Sequence, residues 1–327
     1  MKIVLTHALS QAGMDILNAS GAEVYVANSA QPEHYLDHLK DADGFIVRIG
    51  RCPADLIDRC PNLNVIGRTG VGYDNVDVAH AASLGIPVVF TPGANNRSVA
   101  EHTVACMFAL SKNLQEADTE LRKGNWKIRD ANKAFELQGK KVGIIGVGAI
   151  GKLVADICQA VGMQTAGFSH SKNRAKVEAA GCEYYEDMEK LLRDCDIVTI
   201  HNPLTPETRN MITARQLAMM KKTALLINTS RGPIVNERDL ADALNSGVIA
   251  GAAVDVYSAE PAGMENPVFM AKNLLCTPHS AALTREGMDR MGVWCAEGCL
   301  AVCRGERWEH VVDQSAYHCG RFAARDR

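Results

Sequence analysis

Short apolar runs recur along the chain, separated by stretches in which apolar residues return every three or four positions. The first such series covers residues 2–6, 23–27, 44–48, 64–69 and 88–91, each rich in Val, Ile or Leu and bounded by polar residues, Gly or Pro. Continuous apolar runs, rather than strict alternation, are what strands covered on both faces require, so the pattern predicts a parallel sheet wrapped by helices. Pro92-Gly93-Ala94-Asn95-Asn96 interrupts this rhythm, and a long amphipathic helix is predicted to start at Ser98, where Ser98-Val99-Ala100-Glu101 has the form of a capping box. A second series follows at residues 141–146, 164–168, 197–201, 224–228, 250–254 and 273–276. Beyond it the periodicity predicts another long helix over about 283–304, then a polar end containing Arg321, Arg325 and Arg327 that reads as a frayed terminus.

These elements predict an α/β protein with a Rossmann-type doubly wound parallel sheet and a second, flavodoxin-like α/β domain. The expected division is 1–97 with 286–316 as a discontinuous substrate-binding domain, 98–285 as the dinucleotide-binding domain, and 317–327 as a C-terminal tail. A length of 327 residues suits two cores. A formal charge of -3, with no Lys/Arg stripe, argues against a nucleic-acid partner. The N-terminus lacks the form of a secretory signal and no apolar run is long enough to cross a bilayer, so a cytoplasmic address without membrane contact is expected. Eleven cysteines, without zinc-type pairs, fit reduced thiols and no metal site. Cys295, Cys299 and Cys303 recur every four residues and read as packing residues on one helix face.

The strongest local signal is Gly146-Val147-Gly148-Ala149-Ile150-Gly151, placed between an apolar strand and an amphipathic helix. Gly146 allows a tight turn, Gly148 lets backbone approach a pyrophosphate, and Gly151 lets helix and strand pack closely, with Ala149 and Ile150 opening a helix whose N-H groups face the phosphates. About twenty residues later, NAD-binding sheets carry a carboxylate for the ribose 2'-hydroxyl. Here that place reads Phe168-Ser169-His170-Ser171-Lys172-Asn173-Arg174, without one. Ser169, Lys172 and Arg174 suit a 2'-phosphate, which makes NADP the preferred cofactor with NAD possible; the other reading is that Lys172 and Arg174 begin a solvated helix.

In an open parallel sheet, ligands lie outside the carboxyl ends of the strands. Arg231, Asp255 and His279 follow three successive predicted strands, and Glu260 follows Asp255 on its loop. His279 suits a general base for an alcohol proton, Glu260 a carboxylate that favours imidazolium and holds the ring, and Arg231 a planar cation for a carboxylate and a polarised carbonyl. Ser280 beside His279 does not make a hydrolase nucleophile elbow.

With these residues in place, the sequence resembles the D-isomer-specific 2-hydroxyacid dehydrogenase family over nearly its whole length. The resemblance rests on residues 67–77 (GRTGVGYDNVD), on Ser98-Val99-Ala100-Glu101-His102-Thr103, on the Gly146 turn, on Asn228-Thr229-Ser230-Arg231-Gly232, on Asp255-Val256-Tyr257 leading to Glu260-Pro261, and on Thr277-Pro278-His279. It implies hydride transfer between a nicotinamide cofactor and a small 2-oxo or D-2-hydroxy acid such as glyoxylate, hydroxypyruvate or 3-phosphoglycerate. It implies a catalytic trio of Arg231, Glu260 and His279, with Asp255 near the nicotinamide amide. It also implies that backbone around Val71 and Gly72 holds the substrate carboxylate and that Arg48 reaches the substrate's far end, although a plain surface arginine at position 48 is equally open. Asn202, Pro203, Thr208, Thr229 and Ser230 match cofactor-contacting positions, beside Ser169 and His170, and a homodimer is expected. Ser169 stands where NAD-dependent members carry Asp. The sequence shows no added C-terminal regulatory domain, so serine feedback is not expected. The competing reading is a dinucleotide-sensing, corepressor-like binding protein without turnover.

Overall fold

The computed structural model describes residues 1–131 and 133–324, so Arg325 and Arg327 lie outside it. The chain divides into two compact units. One runs from Met1 to Asn95 and resumes at Leu283; the other is Asn96–Ala282.

The first unit holds five parallel strands: β1 (Lys2–Leu5), β2 (Glu23–Val26), β3 (Gly44–Val47), β4 (Val65–Arg68) and β5 (Val88–Val89). Their order is β2-β1-β3-β4-β5, the flavodoxin-like order, with its reversal at β1 and β3. Alternate residues face opposite sides, and both sides are covered. Val4, Phe45, Val47 and Ile66 enter one core with Leu56 and Ile57; Ile3, Leu5, Ile46 and Val65 enter the other with Cys295 and Cys299 of the helix Arg285–Cys303. Cys295 and Cys299 are fully buried and lie over Gly67, where an added Cβ would sit 2.5 Å from the Cys299 sulfur. They are packing residues, as their spacing implied.

The end of the chain departs from expectation. Residues 310–312 run antiparallel along the edge strand β5, with Val312 N-H donating to Val88 O at 2.9 Å, and so cover an edge that would otherwise be open. Tyr317 and Phe322 are each 2% exposed and belong to the first unit's core. Arg321 is no solvated end: its guanidinium donates to the carbonyls of Cys60 and Leu63 at 2.9 and 2.8 Å. Residues 317–324 are therefore part of the first unit rather than a tail.

The second unit holds seven parallel strands: β6 (Lys141–Ile145), β7 (Gln164–Phe168), β8 (Glu183–Tyr185), β9 (Ile197–Ile200), β10 (Leu225–Asn228), β11 (Gly251–Val254) and β12 (Leu274–Cys276). Their order is β12-β11-β10-β9-β6-β7-β8, a doubly wound sheet that reverses at β6 and β9. Six were predicted; β8 is an added edge strand of three residues, too short and too polar at Glu183 to read as one. Val142, Ile144 and Ile227 face one core and Ile145, Val198 and Leu226 the other. The helix Asn96–Ser111 starts two residues before Ser98, which is buried inside its first turn. The expected capping box is thus absent, and Glu101 pairs instead with Arg97 one turn earlier on the same helix. No described helix is long and apolar enough to cross a membrane.

Candidate active site

Parallel pairing places the last residues of β6, β9, β10 and β11 side by side: Ile145 pairs with Ile200, Ile200 with Asn228, and Asn228 with Val254. The loops that follow leave one edge of the sheet at one level.

The β6 turn is built around its glycines. Gly146 has φ +97°, a backbone state that L side chains rarely adopt, and a Cβ there would collide with Asn202 and His201 after β9. Gly148 caps the helix Ala149–Ala160, and a Cβ on it would meet nothing within 4 Å. At Gly151 a Cβ would strike the Gly146 carbonyl, so the helix could not pack this closely on the turn. Ile150 packs against the adjoining core. The arrangement leaves a helix N-terminus, with its unpaired N-H groups, opposite open space at Gly148.

Beyond β7, the Ser169 and Ser171 hydroxyls are 2.9 Å apart, His170 lies 3.4 Å from the Met211 sulfur, and Lys172 sits at φ +51° with its ammonium 4.0 Å from Glu186. Arg174 opens the short helix Arg174–Ala179 and pairs with Glu178 at 2.8 Å. The cations of this loop therefore already have carboxylate neighbours, though both pairs are exposed.

Asn202 is 7% exposed beside the glycine turn, and Thr208 donates to the Pro203 carbonyl at 2.7 Å, closing the loop after β9. The preceding residue, His201, drew no attention in the sequence. Its ring nitrogen lies 3.0 Å from the Thr199 hydroxyl, and desolvation pushes its pKa down to about 4.

At the end of β10, Asn228 wraps the turn that carries Arg231. Its side-chain oxygen accepts from Ser230 N-H at 3.1 Å, and its amide donates to the Arg231 carbonyl at 3.0 Å. Thr229 is buried and hydrogen-bonded to Thr103 at 2.9 Å. Gly232 lies against the backbone of Tyr257 and Ser258, where any Cβ would collide. This contact brings the Arg231 turn onto the loop that bears Glu260.

Glu260 and His279 meet directly, with Nδ1 of the imidazole 2.6 Å from Oε2 of the carboxylate. The other carboxylate oxygen accepts from Tyr257 N-H at 3.0 Å. Burial acts to raise the Glu260 pKa, but the hydrogen bonds from His279 and Tyr257 and the charges of His279 and Arg231 outweigh it and hold the carboxyl below its ordinary value. Glu260 is therefore ionised at neutral pH. With Nδ1 engaged, Nε2 is the nitrogen of His279 left for a reacting group.

Asp255 is 1% exposed and accepts three hydrogen bonds: from the Thr277 hydroxyl at 2.6 Å, Ser280 N-H at 2.8 Å and Ala281 N-H at 2.9 Å. Its expected place beside a nicotinamide amide is thus joined by a second task, bracing the loop that carries His279.

In the first unit, Val71 and Gly72 lie in the turn after β4, which Gly70 and Thr91 pin through reciprocal hydrogen bonds at 3.0 Å. Arg48 follows β3, its N-H held by the Thr6 hydroxyl at 3.1 Å. No cluster among the described residues has the composition of a metal site.

The comparisons with known proteins agree with this architecture. A family model described as the NAD binding domain of D-isomer specific 2-hydroxyacid dehydrogenases matches residues 104–281, and the chain belongs to that family. A D-3-phosphoglycerate dehydrogenase of Methanocaldococcus jannaschii is 40% identical over 96% of this chain and 59% of its own length, so the chain spans about three fifths of that relative. A glyoxylate reductase of Aeropyrum pernix is 40% identical over 89% of this chain and 90% of its own. A Thermus thermophilus protein of known crystal structure superposes with a TM-score of 0.89 at 31% identity, covering 96% of this chain and all of the other.

The depressed pKa of His201 has a consequence for stability. Between its ordinary value near 6.5 and the folded value of about 4, the unfolded chain binds a proton there and the native chain does not, so the native state loses stability as pH falls through that window. Thermal melts at pH 7 and pH 4.5 are expected to show a smaller drop for His201→Gln than for the parent; equal drops contradict the assignment.

Proposed function

We propose that this chain is an NAD(P)H-dependent oxidoreductase that interconverts a small 2-oxo acid and the corresponding D-2-hydroxy acid. The observation that carries the reading is the 2.6 Å contact between His279 Nδ1 and Glu260, which leaves Nε2 to pass a proton to or from the substrate oxygen. The cofactor, when bound, supplies or takes the hydride. Arg231 polarises the substrate carbonyl and pairs with its carboxylate, and Glu260, held on Nδ1, orients the imidazole that passes the proton. Arg48, Val71 and Gly72 keep their expected role as substrate contacts on family resemblance.

For the cofactor, we favour NADP. The loop after β7 has no carboxylate at Ser169 to repel a 2'-phosphate, and the pairs of Arg174 with Glu178 and Lys172 with Glu186 are exposed and screened by solvent, so a phosphate can displace them. Asn202, Thr208, Thr229 and Ser230 keep their expected places around the nucleotide. A homodimer is supported by the amphipathic helix Leu114–Arg122, none of whose residues is buried, and by the exposed Leu114, Leu121 and Trp126. The described cysteines are free thiols, which fits a reducing cytoplasm.

A panel of glyoxylate, hydroxypyruvate and phosphohydroxypyruvate, each with NADPH and NADH, tests the reading. Turnover of at least one acid is expected, faster with NADPH, and His279→Ala should lower kcat by about a thousandfold. Tight cofactor binding with no turnover across the panel would favour a dinucleotide sensor instead. Gly148→Val separates cofactor binding from folding, because its Cβ meets no protein atom within 4 Å. The melting temperature should hold while NADPH affinity falls more than tenfold; unchanged affinity would remove the pyrophosphate assignment.

A further inference from the structure

His279 has φ +50°, a left-handed backbone state that non-glycine residues rarely adopt and that persists only where its surroundings enforce it. The enforcement is visible. His279 N-H donates to the carbonyls of Asp255 at 2.7 Å and Thr277 at 3.1 Å, and the next two N-H groups both end on the Asp255 carboxylate. That carboxylate is an acceptor only, so the 2.6 Å contact from Thr277 obliges the threonine hydroxyl to give its single proton to Asp255.

The Thr277 oxygen then has lone pairs alone to offer its other neighbour, Nε2 of His102, 3.1 Å away. His102 must donate there, which fixes its ring with the proton on Nε2. The bonds form one directed chain, from His102 Nε2-H to the Thr277 hydroxyl to Asp255. The next residue on the same helix, Thr103, is bonded to Thr229, two positions before Arg231. One turn of the helix Asn96–Ser111 thus touches both loops that carry the catalytic side chains.

We propose that His102 is a positioning residue of this site: through Thr277 and Asp255 it sets the strained turn that aims His279. The inference rests on the catalytic reading of His279, since it assigns a purpose to that aim. Without the His102 donor, the Thr277 hydroxyl is free to rotate away from Asp255, and the turn loses a member of its clamp. His102→Phe keeps the ring's bulk and removes the donor, whereas His102→Gln returns an N-H donor at similar reach.

Two measurements test the proposal. Nitrogen-15 NMR of histidine-labelled protein should show the Nε2-H tautomer for His102 at neutral pH; the Nδ1-H tautomer overturns the directed chain, and this readout needs no turnover. In steady-state assays with the 2-oxo acid best used, His102→Phe should lower kcat about tenfold, the worth of one such hydrogen bond, while KM for NADPH stays within about twofold. His102→Gln should recover most of the rate, and His102→Phe should cost nothing further in a Thr277→Val background. An unchanged kcat, no recovery with Gln, or additive losses in the double variant each overturn the positioning role. Absence of turnover in the parent protein would count against the proposed function, with the tautomer result still deciding the hydrogen-bond chain.

Discussion

Every chemical feature of this chain depends on the parallel pairing of its strands. In a parallel sheet all loops that follow a strand leave by the same edge, and neighbouring strands lie about 4.8 Å apart. In-register pairing of Ile145, Ile200, Asn228 and Val254 therefore delivers the glycine turn, His201, the Arg231 turn and Asp255 to one edge in a row. Residues spread over more than a hundred positions of sequence, from Gly146 to Asp255, fall into one row without any of them needing to find the others. The buried faces of Val, Ile and Leu enforce that register, since a slip of one residue would turn each core side chain to the opposite face.

On this frame the site is completed by close backbone approaches and one buried charge. Gly232 against Tyr257 and Gly151 against Gly146 are contacts that no side chain allows. The Asp255 carboxylate, 1% exposed, is tolerated because three donors satisfy it, and in return it holds a histidine in a backbone state that residue would otherwise avoid. The Glu260–His279 pair differs in kind. Its side chains are 36% and 44% exposed, so it is reachable by a substrate, and its partners are set by geometry rather than by burial.

Much of this was legible in the chain. Runs such as residues 142–145 and 197–200 are strands buried on both faces, which leaves a nearly continuous hydrophobic signature. Arg231, Asp255 and His279 could be placed because a strand-end position is a topological fact. What escaped notice had local reasons. Strand β8 is short and sits on an edge, where selection for apolar residues is weak. Residues 310–324 look polar in sequence because only a few, such as Tyr317 and Phe322, are needed to anchor them. The pattern Ser98–Glu101 matched a cap, yet the helix begins at Asn96 and consumes Ser98 in its first turn. His102 stood out only as a member of the Ser98–Thr103 motif, and its contact was not legible, because its partner Thr277 is 175 positions away and becomes a neighbour only when the second sheet closes.

The central claim is that Glu260, held on Nδ1 of His279, presents Nε2 as the group that passes a proton to or from the substrate oxygen. The most direct measurement is single-turnover reduction of a 2-oxo acid by the parent protein and by Glu260→Gln, whose amide cannot accept from both Tyr257 N-H and His279 Nδ1 as the two carboxylate oxygens do. The rate of the chemical step should fall at least about tenfold in the variant, with NADPH affinity within about twofold. An unchanged rate would show that the carboxylate does not govern the proton donor, and the account would fail.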